Sequence, residues 1–78
     1  MGKYSNISVA RYRRILIALG LEYIRTKDGY EIWNKKGLLR NVVFQNHEEP
    51  VPEDIVLNNL RTIGITKKDF DEILANTK

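Results

Sequence analysis

The sequence has no cysteine and only one histidine, and these two scarcities exclude most cofactor and metal chemistry. Without cysteine there is no disulfide framework, no thiolate metal site and no thiol nucleophile. One imidazole cannot form the paired-histidine motif of a transition-metal site. A nucleotide-binding glycine loop and a nucleophile elbow are missing too, so no metal and no cofactor are expected. With two prolines and five glycines there is no linker-like tract, and no repeat or low-complexity segment, so residues 1–78 read as a single domain. No apolar run approaches the roughly 20 residues of a membrane span. The opening Met1-Gly2-Lys3-Tyr4-Ser5-Asn6 also lacks the apolar core of a signal peptide, so the expected setting is cytoplasmic, away from membranes. Gly2 satisfies the first requirement of a myristoylation start, a weak reading that depends on a particular modifying enzyme.

What is present is charge, unevenly placed. Residues 1–40 hold nine Lys/Arg against three acids, while residues 41–78 hold four against seven, so the halves carry +6 and −3. A basic half on an otherwise balanced domain is the electrostatic footprint of a polyanion binder, although small domains also carry basic surface for solubility.

Val9, Tyr12, Leu16 and Leu19 fall on one face of a helix that Ser8 can cap and Gly20 can end, with Arg11 and Arg14 projecting from the far side. From Leu21 the pattern changes to β-branched and aromatic residues. Lys27-Asp28-Gly29 and Asn34-Lys35-Lys36-Gly37 supply turns, which predicts an antiparallel meander over 21–27, 30–34 and 38–45. Pro52 suits the first turn of a second helix carrying Ile55, Val56, Leu60 and Ile63, which Gly64 closes. Thr66 and Asp69 resemble a capping box for a last helix with Phe70, Ile73 and Leu74. The predicted order is αβββαα, and the expected fold class is α+β, with the helices sharing one face of the sheet.

Among hydrolytic reactions, RNA cleavage asks least of the protein, because the 2′-hydroxyl is already the nucleophile and the site needs only a base, an acid and cations for the phosphate. Three blocks point the same way. They are Ile15-Leu16-Ile17-Ala18-Leu19-Gly20-Leu21-Glu22-Tyr23-Ile24-Arg25, then Glu31-Ile32-Trp33, then Leu60-Arg61-Thr62-Ile63-Gly64-Ile65-Thr66-Lys67-Lys68-Asp69-Phe70. In order and spacing the chain from Val9 to Leu74 resembles the HicA-type toxins (YcfA-like), small messenger-RNA-cleaving endoribonucleases paired with HicB antitoxins. The resemblance implies a fold like a double-stranded-RNA-binding domain, a messenger-RNA substrate and a HicB-like protein partner.

One departure bears on activity. Where the family carries Gly-Ser-His before the second strand, this chain has Asp28-Gly29-Tyr30. A phenol titrates near about 10 and an imidazole near about 6.5, so a tyrosine is the poorer general base at neutral pH. The expectation is RNA binding with weakened or lost cleavage. Tyr30 is then the candidate catalytic or base-stacking residue, and His47 is the second catalytic candidate. The resemblance implies that His47, after the third strand, approaches the start of the second. Arg25, Lys27, Lys35, Lys36 and Arg40 are the candidate phosphate contacts, with a solvated basic rim as the alternative. Trp33 is expected in the core, and Arg11, Arg13 and Arg14 either extend the basic face or keep the first helix soluble. A protein-interaction module that keeps the HicB-binding surface without touching RNA remains the alternative function.

Overall fold

A computed structural model describes residues 4–77; the myristoylation reading of Gly2 lies outside them. The element order is α1 (Val9–Ala18), β1 (Glu22–Lys27), β2 (Tyr30–Asn34), β3 (Val42–Gln45), α2 (Glu53–Ile63) and α3 (Lys67–Asn76). This is the expected α+β order, with helices packed against a three-stranded antiparallel sheet of order β1-β2-β3. No described helix is long and apolar enough to cross a membrane.

Each helix end follows from local chemistry. The Ser8 hydroxyl accepts from the Arg11 amide at 3.1 Å and opens α1, satisfying a donor that has no partner within the helix. Gly20, at φ +89°, turns the chain back so that the Leu21 amide donates to Leu16 O and the Gly20 amide to Ile17 O, both at 3.0 Å, a Schellman closure. Thr66 caps α3 by accepting from the Asp69 amide. Pro52 is the N-cap of α2 rather than a residue of its first turn. Its extended ψ of 138° precedes Glu53 and Asp54, which complement the positive end of the helix dipole.

The sheet's two faces differ as strand alternation requires. Glu31, Trp33, Val42 and Phe44 point toward the helices and are buried, whereas Tyr30 is exposed and Ile32, Val43 and Gln45 are half-buried on the opposite face. Tyr12 of α1 meets Phe44 edge-on at 5.0 Å. Asn59 of α2 is buried between layers and donates to Tyr12 Oη at 2.9 Å and Val43 O at 3.3 Å.

Three differences from the sequence expectation have physical causes. Strand β3 begins at Val42, not residue 38, because Trp33↔Val42 is the last β2–β3 pair. The chain before it is taken up by the turn that the Leu38 amide closes on Lys35 O, and Asn41 meets Asn34 through side chains alone, accepting from Asn34 Nδ2; Leu39 is 100% exposed. Arg11 does not project freely: its guanidinium donates to Thr77 O at 2.8 Å and Leu74 O at 2.7 Å, capping the carbonyl end of α3. The segment before α1 belongs to the core. Tyr4 and Ile7 are buried, Tyr4 packs edge-on against Phe70 at 5.2 Å, and Val51 N–H donates to Ile7 O at 2.8 Å. Trp33 is buried, as expected.

Candidate functional site

The β1–β2 hairpin builds the site. Asp28 and Gly29 both take positive φ, 54° and 81°, the conformation of a two-residue turn that matches the twist of its strands. The turn places Lys27 directly opposite Tyr30, with Arg25 opposite Ile32, on the sheet face that no helix covers. Tyr30 is 40% exposed. Its phenol oxygen accepts from Gln45 Nε2, across on β3, at 2.6 Å, which fixes the ring without covering it.

His47 comes to the same end of the sheet. An ideal Cβ on Gly29 would lie 2.7 Å from His47 Nδ1 and 2.8 Å from Cε1, so the imidazole rests in the space a side chain at position 29 would occupy. The Asn46 amide donates to Gly29 O at 2.9 Å and holds the connection from β3 against the turn. His47 therefore adjoins the start of the second strand.

Beneath this end of the sheet lies a polar strut invisible to periodicity. Glu31 is 3% exposed and accepts from Arg13 Nε at 3.1 and 2.9 Å, from Arg13 Nη2, and from Trp33 Nε1 at 3.1 Å. Burial alone would push the Glu31 carboxyl up. The hydrogen bonds from Arg13, Trp33 and Asn46 and the Arg13 charge outweigh burial and hold it below the ordinary value. Arg13 is thus committed to structure. The only hint in the sequence is a carboxylate at an inward strand position, which must find a partner.

The five candidate cations do not form one patch. Arg25 and Lys27 flank Tyr30, but Lys35, Lys36 and Arg40 follow the far end of β2. Lys35 Nζ donates to Leu19 O at 3.3 Å, at the carbonyl end of α1, a favourable place for a cation. A cleft of about 460 Å3 beside Tyr30 is lined by Val43, Phe44, Gln45, Pro52 and Ile55 together with Glu48 and Asp54. The surroundings of Tyr30 are therefore cationic on its β1 side and anionic on its α2 side. No cluster of potential metal ligands occurs among the described residues.

The geometry defines a small α+β domain with a basic, aromatic hairpin, and the imidazole of His47 from the loop after β3 resting on its turn, at one end of an open sheet face. Comparison with known proteins gives no family model, curated relative or solved structure that matches the chain.

Proposed function

We propose that this domain binds single-stranded RNA through the open face of its hairpin, with Arg25 and Lys27 on phosphates and Tyr30 stacking on a base. The observation that carries this reading is the direct cross-strand pairing of Lys27 with Tyr30 on the uncovered face, with Arg25 two residues away on the same strand. Cations beside an exposed aromatic are what sequence-tolerant single-strand binding needs. The resemblance of three blocks to HicA-type toxins supports messenger RNA as the ligand. Cleavage, if retained, falls to Tyr30 and His47, and the loss of the family's histidine at position 30 makes it weak. Binding of fluorescent single-stranded RNA across a salt series tests this. Each phosphate neutralised contributes about −0.7 to the logarithmic salt slope, so Arg25→Ala with Lys27→Ala should flatten it by about 1.4. No binding at about 50 mM salt would defeat the reading.

A second reading draws on Glu48 and Asp54 beside Tyr30. Carboxylates repel phosphate but suit basic side chains, so this flank favours a protein ligand such as a HicB-like antitoxin. A partner that binds with affinity insensitive to Arg25→Ala and Lys27→Ala but lost in Asp54→Lys would identify the domain as a protein-interaction module.

A further inference from the structure

At the opposite end of the sheet, the loop after β2 and the last turn of α2 border an open cleft of about 400 Å3 lined by Gly37, Leu38, Leu39, Arg40, Arg61, Thr62 and Ile63. Its two charged lining residues are both arginines, from elements more than twenty residues apart in sequence, and no carboxylate borders it. Neither guanidinium has a hydrogen-bond or ion-pair partner among the described residues. Arg11 and Arg13, by contrast, are held by backbone carbonyls and by Glu31. Two like charges bordering one cleft repel, and an anion between them would relieve that repulsion. Arg61 alone has an ordinary explanation in the favourable interaction of a cation with a helix C-terminus. That explanation does not extend to Arg40, which approaches from a loop.

We propose that this cleft binds a phosphate group between Arg40 and Arg61. The planar guanidinium fork matches the oxygens of a phosphate and is always charged. The free carbonyls at the end of α2 carry only about half a negative charge against two full cations, so the local field favours an anion. Leu38, Leu39 and Ile63 give the cleft apolar walls, and Leu39 is fully exposed there. The phosphate has two possible sources. One is the backbone of an RNA strand running from the hairpin across the sheet, which rests on the function proposed above. The other is a small phosphorylated molecule, which does not.

Sodium tripolyphosphate titrated into 15N-labelled protein at low salt, with sodium chloride at matched ionic strength as control, reads the cleft directly. Saturable amide shifts are expected at residues 37–40 and 61–63. Replacing both residues, Arg40→Gln with Arg61→Gln, should weaken the affinity by at least about tenfold while leaving the rest of the spectrum in place. Shifts that match the chloride control, or that survive the double substitution, overturn the proposal. A parallel salt series with single-stranded RNA separates the sources. A slope flattened by about 0.7 in Arg61→Gln assigns the site to the RNA backbone. Tripolyphosphate binding with an unchanged RNA slope, or with no RNA binding at all, assigns it to a free phosphate compound. RNA binding that persists while tripolyphosphate leaves the cleft untouched refutes this site and spares the hairpin.

Discussion

The buried carboxylate of Glu31 is gripped by the Arg13 guanidinium through both Nε and Nη2, tying the first helix to the strand that presents Tyr30. Removing one partner of a buried pair typically costs about 3–5 kcal/mol. The Arg13 side chain is 43% exposed, so water can replace part of what it donates, and Arg13→Ala should cost about 1–3 kcal/mol. Urea unfolding checks this; a midpoint equal to wild type would show that Trp33 and Asn46 suffice for Glu31.

The same pair gives the domain an acid sensitivity. Glu31 is held below the ordinary carboxylate value of 4.5 in the fold, so its ionised form stabilises the native state. That contribution is present above the unfolded value and disappears as pH falls through the lowered folded value. Stability should therefore decline from about pH 4.5 downward. Glu31→Gln, which carries no titrating proton, should show a shallower decline in the same window when unfolding is followed at a series of pH values.

Leu16 and Ile17 are neighbours with opposite fates: Leu16 is fully buried and Ile17 is 61% exposed. Leu16→Ala should cost about 2–5 kcal/mol, a drop of at least about 8 °C in Tm for a domain this small. Ile17→Ala should stay within about 0.5 kcal/mol. Comparable losses from the two would mean that Ile17 is covered in solution.

The helix stripes and the Asp28-Gly29 turn were legible because each is a local rule: one apolar face every 3.6 residues, and positive φ where Asp and Gly stand together. Tyr4, Ile7 and Val51 were not, because they enter the core from irregular chain that has no period to detect. Arg13 was open between basic surface and helix solubility, and only the three-dimensional approach of Glu31 decides its role. The candidate site was half legible. Tyr30, Arg25 and Lys27 sit on one strand pair and follow from hairpin register, whereas the divergence of Lys35 and Arg40 depends on where β3 starts.

Gly29 should be irreplaceable for two separable reasons. Its φ of +81° strains any L side chain, and a Cβ there would meet His47 at 2.7 Å. Gly29→Ala is expected to cost about 1–3 kcal/mol. In a double-mutant cycle with His47→Ala the steric part should vanish and the conformational part remain, so the two changes together cost less than their sum. Additive costs would show that His47 does not rest on the turn.

Tyr30 offers the sharpest test of chemistry. The residues around it supply cations at Arg25 and Lys27, an imidazole at His47 and an amide at Gln45 that already holds its hydroxyl, but no imidazole at position 30 itself. Wild type should bind single-stranded RNA and cleave it weakly or not at all. Tyr30→His places a group able to exchange protons near neutral pH on the same exposed face, and a positioned acid or base typically contributes about 10²–10⁴-fold, so cleavage should rise while affinity changes little. Tyr30→Phe removes only the hydroxyl. If the ring stacks on a base, affinity should be nearly intact, and if the hydroxyl bonds a phosphate it should fall. Cleavage of a labelled RNA by the three proteins distinguishes these cases. Strong wild-type cleavage that survives Tyr30→Phe but is lost in His47→Ala would move the catalytic role to the imidazole seated on Gly29 and make the tyrosine a bystander.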